Sequence, residues 1–75
     1  MTVHAGTNYA NLVKMANQIS QFFESLSAEA APQSTAEHLK KFWDPRMRRA
    51  IVEYAKSGGE GLRPPAARAV ALLES

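Results

Sequence analysis

The sequence predicts an all-α fold, a small bundle of three principal helices plus a short C-terminal fourth. Three observations carry that expectation. Apolar residues recur three and four apart over the stretches beginning at Tyr9 and at Pro45, which places them on one face of a helix. Helix-start signals stand at Ser34 and at Asp44-Pro45. Gly58-Gly59 then supplies the left-handed backbone that ends a helix, ahead of a turn into Pro64-Pro65.

Seventy-five residues allow one small domain with a marginal core. Residues 1–8 read as a flexible N-terminal arm and 9–75 as the single helical domain. The chain has no cysteine, which excludes disulfides, thiolate metal sites, Fe–S ligation and thiol catalysis. The first residues lack the basic region and apolar run of a signal peptide, and no stretch approaches the roughly 18 apolar residues of a membrane span. A soluble, cytoplasmic protein with no membrane contact is expected. The formal net charge is only +2, yet Lys40, Lys41, Arg46, Arg48 and Arg49 make up five of the nine basic residues. That is a local patch on a nearly neutral chain.

Thr7 or Asn8 is placed to cap the first helix. From Tyr9 the apolar positions run Leu12, Met15, Ala16, Ile19, Phe22, Phe23 and Leu26, with Lys14, Asn17, Gln18, Gln21, Glu24 and Ser25 opposite, an amphipathic helix of about 18 residues. Ser27 to Gln33, with its small residues and Pro32, reads as a connecting loop or a frayed helix end. Ser34-Thr35-Ala36-Glu37 has capping-box spacing, so a second helix is expected from Thr35 to about Trp43, with Ala36, Leu39, Phe42 and Trp43 on its apolar face and Glu37 paired to Lys41 outside. The residue before a proline disfavours helical backbone, so the chain turns at Asp44. The third helix, Pro45 to about Ser57, points Met47, Ala50, Ile51, Tyr54 and Ala55 inward. The fourth starts near Pro65, with Ala66, Ala69, Val70 and Leu73 inward and Leu72 directed elsewhere. The first helix is expected to lie across the angle made by the second and third.

One stretch resists a purely structural reading. Arg46, Arg48 and Arg49 follow the Asp44 cap directly, so three cations sit at the positive end of a helix dipole, where each costs up to roughly 1 kcal/mol when exposed. Glu53 lies near Arg46 and Arg49 on the helical wheel, but such a pair contributes only about 0.2 to 0.5 kcal/mol. Val52 adds an apolar side chain beside Arg48. Trp43, at the helix end beside the arginines, has the large amphipathic ring of an interface anchor. Trp43, Arg46, Arg48, Arg49 and Val52 are therefore the candidate partner-binding residues. A solvated basic face and a nucleic-acid surface are the alternatives; the low net charge and Glu53 on the polar face disfavour nucleic acid.

Two blocks, Leu12-Val13-Lys14-Met15-Ala16-Asn17-Gln18-Ile19 and Phe42-Trp43-Asp44-Pro45-Arg46-Met47-Arg48, together with the glycine-rich turn before Leu62, resemble the delta subunit of bacterial NAD-dependent, molybdenum-containing formate dehydrogenase. The resemblance spans about residues 10 to 73. It implies a non-catalytic small subunit of a soluble complex. In such a complex a large alpha subunit carries a molybdenum or tungsten bis-pterin cofactor and Fe–S clusters, and beta and gamma subunits pass electrons to NAD⁺ through flavin. The delta subunit would bind the alpha subunit and support its assembly or stability; a transient chaperone for cofactor insertion is the rival role.

An active site is hard to assemble from these residues. There is no phosphate loop with its Lys-Ser/Thr, no paired histidines, and the seven acids are dispersed. No catalytic, cofactor or metal residue is expected in this chain. His4 and His38 lack the companions of a metal site, and His38 reads as a partly buried structural histidine at the edge of the second helix's apolar face.

Overall fold

Four helices follow one another, α1 Tyr9–Leu26, α2 Ala31–Phe42, α3 Pro45–Lys56 and α4 Pro64–Leu73, in a computed structural model that describes residues 8–74. The expectations for the N-terminal arm and for His4 fall on residues 1–7, outside the described residues. The all-α class and the four helices are as the sequence predicts.

Each helix start has a local cause. Asn8 caps α1, its Oδ1 accepting from the Asn11 N–H at 3.1 Å. Asp44 caps α3 in extended conformation, as a residue preceding proline should. The second helix starts four residues earlier than the capping-box spacing indicates. Pro32 sits in its first turn, where the missing N–H leaves nothing unpaired. Ser34 is inside the helix, its own N–H bonded to the Ala30 carbonyl at 2.9 Å, so it does not act as a cap. The extra turn buries Ala31 completely, and tertiary burial outweighs the local capping signal.

The end of α3 follows the glycine pattern. Gly59 N–H bonds the Tyr54 carbonyl and Gly58 N–H the Ala55 carbonyl, both at 3.1 Å, the pair of bonds of a Schellman cap. Gly58 and Gly59 hold φ of +127° and +63°, a region that side-chain-bearing residues rarely adopt.

The core gathers Leu12 and Ala16 of α1, Leu39 of α2, Trp43 of the turn, Ile51 of α3, and Ala66 and Val70 of α4. The first helix touches α2, α3 and α4, and the α2–α4 pair is the most extensive in the molecule. The fourth helix is thus more central than its length suggests. Ala66, Ala69 and Val70 are fully buried, and their small size, with Ala31 and Ala36 on α2, permits close approach of the two helices.

Two aromatic placements differ from the sequence pattern. Phe42, expected in the core, is 67% exposed, whereas Trp43, expected beside the arginines as a surface anchor, is 5% exposed. The reason lies in the turn. Trp43 has already left the helix, with φ −85° and ψ 140°, and its side chain folds into the core while Phe42 stays on the outer face. Phe22 and Leu26 are also exposed, because α1 is 18 residues long against 12, 12 and 10 for its neighbours and outruns the core they form.

Candidate functional site

The α2–α3 turn is built around Asp44. Its Oδ1 accepts from the Arg46 N–H at 2.9 Å and the Met47 N–H at 3.0 Å. The Met47 hydrogen bond is the main reason its carboxyl titrates below the usual value; desolvation opposes it, and the Arg46 N–H and the charges of Arg46 and Arg48 add to it. The cap thus carries a negative charge where α3 has its positive dipole end.

Arg48 resolves part of the electrostatic conflict. Its Nη1 donates to the Lys40 carbonyl at 2.9 Å and to the Trp43 carbonyl at 2.8 Å. Those carbonyls close α2, whose last-turn acceptors have no partner within the helix. A cation that is misplaced for α3 is well placed for the negative end of α2.

Arg46 and Arg49 receive no such explanation. Both are exposed, and among the described residues no ion pair joins either to Glu53. Nor does one join Glu37 to Lys41; the ion pairs are Lys56–Glu74 at 3.8 Å and Arg63–Glu24 at 3.3 Å.

Arg48, Arg49 and Val52 line one open hollow of about 490 Å³ together with Lys40, Leu73 and Glu74. A second hollow of about 310 Å³, lined by Gln33, Ala36, Glu37, Lys40 and Leu72, shares Lys40 with the first. The structure therefore brings three of the five candidate residues together. Arg46 and Trp43 do not line these hollows. Lys40, Leu72 and Leu73 were missed as site residues; the signals in the sequence are Lys40, which belongs to the basic cluster, and Leu72, which falls off the inward stripe of α4.

The opposite flank of α2 carries an aromatic ridge that sequence reasoning also missed. Phe22 meets Phe23 edge-on at 5.2 Å, Phe23 meets His38 at 6.0 Å, and His38 meets Phe42 at 4.6 Å between ring centres. Phe22 and Phe42 are exposed at the ends, and Phe23 and His38 are half-buried between them.

Chemically, the hollows offer cations beside apolar side chains, a combination suited to binding a partner surface. Among the described residues no three His, Cys, Asp or Glu side chains gather in a group that could hold a metal ion, and no helix is long and apolar enough to cross a membrane. A family model described as NADH-dependant formate dehydrogenase delta subunit FdsD matches residues 11–70. No curated protein and no solved structure matches the chain.

Proposed function

The chain belongs to the family of NADH-dependent formate dehydrogenase delta subunits, and from that premise we propose that it is a non-catalytic subunit that binds the large, molybdenum-cofactor-bearing subunit of a cytoplasmic complex. Its role there is to support assembly or stability of the large subunit, while electron transfer to NAD⁺ proceeds through the other subunits.

One observation carries the docking assignment. Arg49 and Lys40 project beside Val52 and Leu73 into one hollow, and neither cation has a carboxylate partner among the described residues. Arg46, exposed on the same turn, extends the basic surface. An acidic surface with apolar side chains complements both characters of this lining, its carboxylates pairing with the cations and fixing the register of docking. Arg48 contributes chiefly by shaping the turn, since its guanidinium already serves the end of α2.

The test is co-purification of the large subunit with tagged chain carrying Arg46→Ser and Arg49→Ser, Arg48 left intact so that the fold is preserved. Loss of the large subunit from the eluate with helicity unchanged is the expected result. Undiminished recovery would remove these arginines from the interface.

A further inference from the structure

The two hollows beside α2 specify more than the sign of a partner's charge. They share Lys40, and between them they are lined by the cations Lys40, Arg48 and Arg49 and by the apolar side chains of Val52, Leu72 and Leu73. Two carboxylates also belong to the lining. Glu74 is held by Lys56 at 3.8 Å, and Glu37 lies in the smaller hollow. The Arg48 Nη1 is engaged by two carbonyls. What remains for a ligand is two cations, Lys40 and Arg49, and one carboxylate, Glu37, set beside three aliphatic side chains.

Resting on the subunit reading above, we infer that this double hollow seats an acidic amphipathic segment of the partner subunit. Carboxylates of the segment pair with Lys40 and Arg49, and its apolar side chains cover Val52, Leu72 and Leu73. Each alternative occupant fails on one half of the lining. A polyanion such as nucleic acid would satisfy the cations and leave the aliphatic side chains wet. A wholly apolar helix would cover those side chains and strip water from two cations without replacing it, which is strongly unfavourable. A second copy of this chain, placed groove to groove, would set four cations, Lys40 and Arg49 of each copy, against only the two Glu37 carboxylates and leave the excess positive charge unpaired. Only a segment with both characters satisfies the whole surface, with Arg49 able to grip a carboxylate through two parallel N–H groups.

The experiment uses the full chain and a set of overlapping synthetic peptides that tile the large subunit, with binding read by fluorescence anisotropy at low and at raised salt. The expected binders carry carboxylates interleaved with apolar residues three or four apart, and their affinity falls with salt. Lys40→Ser with Arg49→Ser should weaken those peptides about tenfold or more, and Val52→Asp should weaken them as well. Lys14→Ser with Arg68→Ser, exposed cations outside the lining, should not. Circular dichroism of each variant confirms that it folds. The inference is overturned if no peptide binds, if the binders lack carboxylates, or if the Lys40 and Arg49 substitutions leave binding unchanged. Co-purification of the intact large subunit is scored on the same variants. Recovery undiminished by the groove substitutions discards the groove and keeps the subunit role, whereas a wild-type chain that recovers no large subunit discards the subunit role itself.

Discussion

Arg48, in the first turn of α3, donates from Nη1 to the carbonyl of Lys40 in the last turn of α2, 2.9 Å away. The same nitrogen reaches the Trp43 carbonyl at 2.8 Å. A charge that the dipole of α3 would place elsewhere is thereby explained by the neighbouring helix. Arg48→Met should remove two charge-assisted bonds and lower stability by about 1 to 3 kcal/mol. For a domain of this size each kcal/mol corresponds to roughly 4 to 8 °C in melting temperature. Arg49→Ser, at an exposed position, should change stability by less than about 0.5 kcal/mol. Equal losses in the two thermal melts would show that the Arg48 bonds do not hold the turn.

Asp44 makes the same turn pH-sensitive. Its carboxyl titrates below the ordinary aspartate range when folded, chiefly through the Met47 N–H. A lowered folded value means that the ionised cap stabilises the fold fully above the unfolded value and loses that contribution as pH falls through the folded one. Wild type should melt above Asp44→Ala at neutral pH, and the gap should narrow as the solution is acidified through this range. A gap that is constant with pH would assign the cap's effect to backbone shape alone.

Asn17 fixes the loop between α3 and α4. Its Nδ2 donates to the Gly61 carbonyl and its Oδ1 accepts from the Arg63 N–H, both at 2.9 Å. Asn17→Ala should cost about 1 to 3 kcal/mol, two net hydrogen bonds. Asn17→Asp keeps the acceptor and loses the donor to Gly61, so it should fall between wild type and alanine or below alanine from carboxylate–carbonyl repulsion. Denaturant unfolding of the three proteins checks this, and an Asn17→Ala chain as stable as wild type would rule out the clamp.

Trp43 and Phe42 offer a direct comparison of neighbours. Trp43→Ala should destabilise by about 3 to 5 kcal/mol, the range for large aromatic truncations in a core. Phe42→Ser, on the surface, should stay within about 0.5 kcal/mol. Reversed magnitudes in chemical unfolding would restore the sequence-based placement of these two rings.

These residues show what the sequence could and could not disclose. Helix order, the Asp44-Pro45 turn and the Gly58-Gly59 stop are local signals, and all three appear where the spacing puts them. The start of α2 was misplaced because burial of Ala31, a tertiary effect, outweighs a capping pattern. The consecutive aromatics Phe22-Phe23 and Phe42-Trp43 all fall on the apolar side in the sequence pattern, and only the folded chain separates them, because α1 outruns the core at Phe22 and Trp43 leaves the helix to enter it. The Asn17 clamp joins residues 44 and 46 apart in sequence, and no periodicity reveals such a contact. Lys40 entered the candidate site for the same reason: it shares a surface with Arg49 and Val52 only after α2 and α3 fold against α4.

The docking role of the basic turn is tested most directly by recovering the large subunit from cells that co-express it with tagged chain carrying Lys40→Ser, Arg46→Ser and Arg49→Ser. The expected outcome is loss of the large subunit at unchanged helicity and melting temperature. Stoichiometric recovery with the folded triple variant would contradict the assignment of this surface.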